Sequence, residues 1–225
     1  MGYLLTIEAP DASGKSTQVN ELCKHLEKDG IKTRLVRFPN YGSDACKPAE
    51  LYLNGALGKN PEDTSAYAAS VFFAVDRYFS YRTDWYKDLK EPGTVVILDR
   101  YTTSNAVHQL SKLDSKEEQL DFLSWLYDFE FNKLSLPVPD DTIFLDVPPE
   151  ISHALMLSRA KAESAHVTDI HESSGKYLKK CYDAANLVSE IKKWKRINCV
   201  KEGKLRSVAD IHDEIYSFVR SKINF

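Results

Sequence analysis

The stretch that decides the fold is residues 4–17, Leu4-Leu5-Thr6-Ile7-Glu8-Ala9-Pro10-Asp11-Ala12-Ser13-Gly14-Lys15-Ser16-Thr17. An apolar run is followed by a short loop and then by an amphipathic stretch at 19–26, which predicts a strand, a turn and a helix. The loop matches the phosphate-binding motif G-x-x-x-x-G-K-[ST], except that Ala9 occupies the place of the first glycine. In this motif the loop amides and the helix N-terminus converge on phosphate oxygens. The segment therefore predicts a nucleotide site on an α/β fold.

The chemistry of the motif, a P-loop, assigns roles within this segment. Lys15 is expected to reach the β- and γ-phosphates, and Ser16 is expected to give an oxygen to Mg²⁺. A Cβ at Ala9 is poorly tolerated if the backbone there needs a positive φ, and Pro10 lacks an amide donor. The predicted ATP-binding residues are Ala9, Pro10, Asp11, Ala12, Ser13, Gly14, Lys15, Ser16 and Thr17.

The rest of the chain continues the alternation of strands and helices. Apolar runs recur at 33–36, 95–98, 143–145 and, more weakly, 196–200, and helical patterns lie at 15–28, 64–88, 116–131, 168–193 and 207–221. Near-continuous apolar strands that alternate with helices are typical of a parallel sheet covered on both faces. We therefore expect a P-loop NTPase-type three-layer fold with a five-stranded parallel sheet. We expect residues 1–225 to form a single domain, with a small polar lid at about 158–175.

Composition excludes several classes of protein. With 30 basic and 33 acidic residues among 225, the net charge of −3 supplies no basic field for nucleic-acid binding, and 43% hydrophobic residues exclude a disordered chain. The four cysteines form no C-x-x-C pair, which argues against a zinc site and favours a reducing compartment. No apolar run approaches the ~20 residues of a membrane helix, and we expect no secretion signal, no membrane partner and a cytoplasmic location.

A second candidate group follows the strand at 95–98, where the sequence continues Asp99-Arg100-Tyr101. Ligands of open α/β sheets bind at the carboxyl ends of the strands, so both charged residues are expected near the P-loop. Asp99 is placed to hold Mg²⁺ or its waters beside Ser16, and Arg100 is placed to clamp a phosphate. The alternative is a strand-end ion pair with a packing tyrosine.

The helical pattern at 64–88 contributes a candidate base site. At about 100° per residue, Phe73 and Arg77 fall opposite an apolar stripe, where the ring stacks on a base and the guanidinium reaches a carbonyl edge. A minor hydrophobic contact beside a solvated arginine is the alternative. The stripe, which we expect to face the core, is Tyr67, Val71, Phe72, Val75, Tyr78 and Phe79.

Four motifs together resemble the thymidylate kinase family, through about residue 190. They are Ile7-Glu8-x-x-Asp11-x-x-Gly14-Lys15-Ser16-Thr17, Arg37-Phe38-Pro39, Phe73-x-x-x-Arg77 and Asp99-Arg100-Tyr101. The resemblance implies a homodimer that transfers the γ-phosphoryl group of ATP to dTMP with Mg²⁺, in dTTP biosynthesis. It also implies nine substrate-side residues, namely Asp11, Arg37, Tyr41, Phe73, Arg77, Arg100, Ser104, Asn105 and His108.

The resemblance further implies where the catalytic charges lie. In some members of the family the catalytic arginine lies in the P-loop, and in others the catalytic basic residue lies in the lid. In this sequence the P-loop position is Ala12. The resemblance therefore implies a catalytic residue in the lid, either Arg159 or Lys161. Glu172 resembles the acidic lid residue near the phosphates and Mg²⁺. The implied catalytic set is thus Lys15, Arg100, Asp11, Arg159 and Lys161, and the implied metal set is Ser16, Asp99 and Glu172.

Three other functions are alternatives. A P-loop GTPase is disfavoured because Asn132-Lys133-Leu134-Ser135 lacks the aspartate of the guanine-reading motif. A deoxynucleoside kinase needs a general base for the 5′-hydroxyl rather than a clamp for a phosphate, and Arg100 favours the clamp. A catalytically inactive nucleotide-binding protein is the third alternative.

Overall fold

The structure, a computed structural model, describes residues 1–162 and 175–223, without the side chains of residues 158–162, 175 and 176. The strands are β1 (Tyr3–Glu8), β2 (Lys32–Arg37), β3 (Thr94–Asp99), β4 (Asp141–Asp146), β5 (Lys195–Asn198), β6 (Val200–Lys201) and β7 (Lys204–Leu205). The helices are α1 (Lys15–Lys28), α2 (Lys47–Leu53), α3 (Ala66–Ser80), α4 (Tyr86–Lys90), α5 (Thr102–His108), α6 (Lys116–Tyr127), α7 (Pro149–Ala162), α8 (Gly175–Ile191) and α9 (Val208–Lys222).

The main sheet has five parallel strands in the order β2-β3-β1-β4-β5, which confirms the predicted fold class. The first strand of the chain is the central one, and all six of its residues are buried. Its register pairs Ile7 with Asp99, and Asp99 also pairs with Arg37 of the edge strand β2. The charged residues at the carboxyl ends of β1, β2 and β3 therefore lie close together.

Two apolar layers cover the sheet and give it the predicted three-layer form. On one face, Leu5 and Ile7 pack in a cluster that includes Leu22 of α1 and Ile215 of α9. On the other face, Leu4 packs in a cluster with the fully buried Trp85. Successive residues of β1 thus face opposite layers, as the period of two in a strand requires. Within the described residues, none of the helices combines the length and the apolar character of a membrane span.

Several predicted elements differ in extent. Helix α1 has the predicted bounds, but the 64–88 pattern is divided into α3, a π-helical segment Tyr81–Trp85 and α4. The 116–131 pattern is divided into α6 and a π-helical segment Asp128–Lys133. Helices α2, α5 and α7 and the β6–β7 pair were not predicted. The side chains of the expected lid, at about 158–175, lie outside the described residues.

The predicted core stripe of α3 is wrong. Its buried face consists of small or polar residues, namely Ala66, Ala69, Ser70, Ala74, Asp76, Arg77 and Ser80. Four members of the stripe are exposed, Tyr67 (41%), Val71 (37%), Tyr78 (37%) and Phe79 (54%), and Phe72 and Val75 are half-buried. Small side chains let neighbouring helices approach closely. The small residues of α3 face α2 and α5, and its large apolar residues face solvent.

Candidate active site

The P-loop connects β1 to α1 in a conformation that tolerates its substitution at Ala9. Positive φ occurs at Ala12 (58°) and Gly14 (84°), whereas Ala9 is not among the positive-φ residues. The expected strain at Ala9 is therefore wrong, because the left-handed positions lie later in the loop. Gly14 precedes the helix, and no side chain of the described residues caps the first turn of α1. The amides of that turn are therefore available to an anion.

Lys15 and Asp99 form a buried ion pair where the P-loop meets β3. The ammonium nitrogen of Lys15 donates to Asp99 Oδ1, and Arg37 Nε lies 3.5 Å from Asp99 Oδ2. Burial, and secondarily the Arg100 guanidinium, lower the pKa of Lys15 to about 7, whereas the contact with Asp99 favours its charged form. A nucleotide phosphate near Lys15 would add negative charge and stabilise the ammonium further.

Arg100 lies between the P-loop and the start of α5, held by two carboxylates. Its Nη2 donates to Asp11 Oδ1, and its Nη1 lies 3.3 Å from Glu8 Oε1. Its backbone φ of 71° is uncommon for a residue with a side chain and costs about 1–2 kcal/mol, which surrounding contacts must offset. Glu8 also accepts hydrogen bonds from Thr103 (3.0 Å) and Ser104 (2.5 Å), so its buried carboxylate is fully engaged.

A cavity of about 240 Å³ opens beside Arg100. Eight of the nine predicted substrate-side residues line it, namely Asp11, Tyr41, Phe73, Arg77, Arg100, Ser104, Asn105 and His108. Phe38, Pro39, Leu53, Tyr101 and Gln109 complete the lining. Arg37, the ninth, is outside this lining and donates from Nη2 to Asn20 Oδ1 (2.6 Å), so its predicted contact with substrate stays a prediction.

Phe73 and Arg77 both line the cavity, and Arg77 is buried. Their contact with a base stays a prediction. The Phe73 ring is half-buried and meets the Tyr52 ring edge-on at 6.0 Å, which fixes its plane. Arg77 is 2% exposed and forms a bidentate ion pair with the fully buried Glu130, at 2.7 and 2.6 Å. The alternative of a solvated arginine is therefore wrong.

His108 closes the cavity on the side of α8. Its Nε2 lies 3.3 Å from Arg100 Nη1, its ring stacks near Tyr177 at 6.2 Å, and its Nδ1 lies 3.6 Å from Cys181 Sγ. Burial, followed by the charge of Arg100, lowers the pKa of His108. The neutral imidazole therefore adds no charge to the cavity at neutral pH.

The predicted Mg²⁺ ligands are only partly described. Ser16 is exposed on the first turn of α1, and Asp99, at the end of β3, is buried. Hydroxyl and carboxylate oxygens are hard ligands that suit Mg²⁺, which commonly takes one or two protein ligands and completes its shell with phosphates and water. The described residues contain no cluster of three potential metal-binding side chains, and Glu172, Arg159 and Lys161 lie outside the described side chains.

Two carboxylates of the site, Glu8 and Glu130, were assigned no role from the sequence. Glu8 is the only charged residue of β1, and all six residues of this strand are buried. Because a buried charge is normally paired, the sequence could have predicted a basic partner for Glu8. Glu130 lies in Asp128-Phe129-Glu130-Phe131, where a helical pattern gives no reason to prefer it over its neighbours. Only the packing of α3, α5 and the π-helical segment at 128–133 brings it to Arg77.

Known proteins similar in sequence to this chain are thymidylate kinases. The family model of thymidylate kinase matches residues 7–215. A thymidylate kinase of Mycobacterium tuberculosis is 32% identical over 170 residues, which cover 75% of this chain and 77% of that protein. One from Bifidobacterium longum is 30% identical over 174 residues, 77% of each chain.

A solved structure supports the fold. The thymidylate kinase from Candida albicans aligns with a TM-score of 0.67 over 100% of this chain and 96% of its own, at 20% identity. At that identity the likeness concerns the fold alone, whereas the family match and the relatives above concern the sequence. On this evidence the chain belongs to the thymidylate kinase family.

Proposed function

We propose that this protein transfers the γ-phosphoryl group of ATP to dTMP, giving dTDP and ADP. The observation that carries the proposal is the position of Asp11 and Arg100, which join the P-loop to the cavity that holds eight of the nine predicted substrate-side residues. A donor bound at the P-loop and an acceptor bound in the cavity would therefore present their phosphates to each other across this pair. Family membership supports the same reaction.

On the donor side, the backbone amides of Ala9 and of residues 11–17 bind the ATP phosphates, and Lys15 contacts the β- and γ-phosphates. Lys15 must then leave or share its contact with Asp99. Mg²⁺, held by Ser16 and Asp99, would neutralise phosphate charge. The lid residues Arg159, Lys161 and Glu172 remain proposals from the resemblance alone.

On the acceptor side, each of the eight predicted residues that line the cavity has a matching part of dTMP. Arg100 clamps the 5′-phosphate, and Phe73 stacks on the thymine ring. Arg77 and Asn105 face the edge of the base, and His108 faces the 2′ edge of the sugar. Tyr41 and Ser104 contact the remaining substrate surface, while Asp11 orients Arg100 and lies near the sugar and phosphate.

The reaction requires alignment and charge neutralisation more than covalent chemistry. An oxygen of the acceptor phosphate is already ionised at neutral pH, so no general base is needed, in contrast to a deoxynucleoside kinase. Lys15 and Arg100 approach the transferring group from its two sides and stabilise the charge that develops on its oxygens. The 5′-phosphate clamp thus favours a monophosphate acceptor, and the nucleoside kinase and inactive-protein alternatives are not favoured.

An acceptor panel tests the proposed function. With ATP and Mg²⁺, ADP release is measured against dTMP, dUMP, dCMP, dGMP, thymidine and no acceptor. We expect turnover with dTMP well above the others. Turnover with thymidine alone would instead identify a nucleoside kinase, and ATP binding without turnover would identify an inactive nucleotide-binding protein.

The proposed assembly is a homodimer formed through the outer face of α3 (Tyr67, Val71, Tyr78 and Phe79). Every exposed position of α3 is uncharged, and these four large side chains are 37–54% exposed. The Tyr67 ring also meets Trp125 of α6 at 4.7 Å, so the apolar surface continues onto a second helix. A two-fold axis would place this face against its own copy, which is a common way to bury such a surface.

A charge on this face should separate the protomers. Val71→Glu would bury a carboxylate without a partner in the interface, so we expect a monomer where the unmodified protein is a dimer. Sedimentation equilibrium measures the mass of both. Val138→Glu, at a position 63% exposed in the loop before β4, is the matched control and should remain dimeric. A monomeric unmodified protein at micromolar concentration would refute the proposed assembly.

The remaining features concern the whole chain. We place residues 1–225 in a single domain with a lid at about 158–175, supported by a family match that spans most of that length. The four cysteines are free and buried, which supports a reducing, cytoplasmic location.

A further inference from the structure

Glu130 is a fully buried carboxylate that the reaction described above does not use. It lies in the π-helical segment Asp128–Lys133, and its two oxygens accept four hydrogen bonds from three residues. Arg77 donates from Nε and Nη2, Thr102 donates at 2.7 Å, and Asn105 Nδ2 donates at 3.3 Å. One carboxylate therefore connects α3, α5 and the segment that follows α6.

These contacts determine which groups remain for the cavity. Arg77 uses Nε and one hydrogen of Nη2 on Glu130, so the two hydrogens of Nη1 and the second hydrogen of Nη2 are left to donate into the cavity that Arg77 lines. The Asn105 amide nitrogen donates to both Ser70 O (3.1 Å) and Glu130 Oε1 (3.3 Å), which occupies its two hydrogens. Asn105 therefore presents its amide oxygen. The cavity offers a donor and an acceptor in a fixed order.

That order matches one class of pyrimidine edge. Thymine and uracil carry an accepting O4 beside a donating N3–H, whereas cytosine carries a donating 4-amino group beside an accepting N3. With a 4-keto base, the Arg77 donor meets O4 and the Asn105 oxygen meets N3–H. With cytosine both pairs are mismatched, and buried mismatched polar groups are strongly disfavoured.

We propose that Glu130 is a positioning residue that sets the preference of the acceptor cavity for 4-keto over 4-amino pyrimidine monophosphates. The inference rests on the proposed placement of the base beside Arg77 and Asn105. Glu130 acts through these two residues and lies behind them. Stability alone is a weak explanation for the arrangement, since the desolvation of a buried ion pair offsets much of its Coulombic gain.

The test compares kcat/KM for dTMP, dCMP and dUMP in variants of Glu130. In Glu130→Gln one carboxylate oxygen becomes an NH₂ group, and at either position this group faces an N–H of Arg77. Arg77 therefore loses one of its two hydrogen bonds to residue 130 and shifts from its place beside the base. We expect the dTMP:dCMP ratio of kcat/KM to fall by about tenfold or more, mainly through KM for dTMP. The dTMP:dUMP ratio should stay unchanged, because these bases differ only in a methyl group.

Two further variants separate positioning from stability. Glu130→Asp keeps the charge that compensates Arg77 but withdraws the carboxylate by one methylene, so it should fold and should also lower the dTMP:dCMP ratio. Thr102→Val removes a hydrogen bond to the same carboxylate without touching Arg77 or Asn105. It should lower the Tm and leave the ratio as in the unmodified protein.

The outcomes are distinguishable. Unchanged dTMP:dCMP ratios in both Glu130 variants, or equal losses in Thr102→Val, would overturn the positioning role. A parallel collapse of the dTMP:dUMP ratio would also overturn it, since that pattern indicates general loosening of the cavity. Arg77→Met serves as the reference: if its dTMP:dCMP ratio is unchanged, the proposed base site itself is wrong and this inference fails with it.

Discussion

Replacing Arg100 with alanine is expected to lower kcat/KM for dTMP by about 100- to 1,000-fold, the usual effect of removing one preorganised group that stabilises transition-state charge. Arg100 lines the acceptor cavity and also contacts the P-loop residue Asp11. Its loss removes both the phosphate clamp and the neutralisation of the transferring group. Steady-state ADP release with varied dTMP measures the change.

Arg100→Ala also removes the guanidinium that pairs with the buried Glu8, so it is expected to lower stability as well as activity. Two control variants separate these effects. Arg100→Lys retains a charge but lacks the planar fork that binds phosphate bidentately, so it should be partly active. Arg34→Ala removes an arginine paired with Asp84 on the outer edge of the sheet and should keep normal kinetics. Near-normal kcat/KM in a folded Arg100→Ala protein would remove Arg100 from the clamp role.

Replacing Lys15 with methionine is expected to lower kcat by about 100- to 1,000-fold while KM for dTMP changes little. The methionine side chain has a similar shape and fills the buried site, but it brings no charge to the β- and γ-phosphates. Lys15 does not line the acceptor cavity, which is why dTMP binding should persist. Initial rates across a grid of ATP and dTMP concentrations separate the two effects.

A matched lysine on the same helix provides the control. Lys24 pairs with Glu21 at 2.8 Å on the exposed side of α1, and Lys24→Met should leave kcat and both KM values unchanged. A large rise in KM for dTMP in Lys15→Met would contradict the division into donor and acceptor sides. Retained kcat would contradict the role of Lys15 on the transferring phosphates.

The elements that carry the P-loop were predictable because local signals agree there. The apolar run of β1, the glycine before the helix and the periodicity of α1 each specify the same boundary, and α1 has its predicted bounds. Asp99 and Arg100 were also placed from local sequence, since the end of a central parallel strand defines the ligand edge. These predictions need no knowledge of distant contacts.

The orientation of α3 was not predictable from its periodicity. An apolar stripe indicates which face leaves water, but it does not tell whether a core or another protein covers that face. The small residues Ala69 and Ala74 determine the packing of α3, and the stripe with Tyr78 faces outward. Glu130 was missed for a related reason, because its role exists only when three separate segments meet.

The strand order has a consequence for synthesis of the chain. Parallel neighbours in this sheet are joined by long crossovers, and β1 pairs with β4 in a register that matches Leu5 with Asp141. At about 5–20 residues per second, the ribosome adds the residues between them over several seconds or more. The central apolar strand lacks both of its partners until β3 has been made, and it still lacks one of them until β4 has been made. The central position of β1, which places the P-loop in the middle of the sheet, thus leaves an unpaired strand on the nascent chain that is prone to aggregation until β4 has been made.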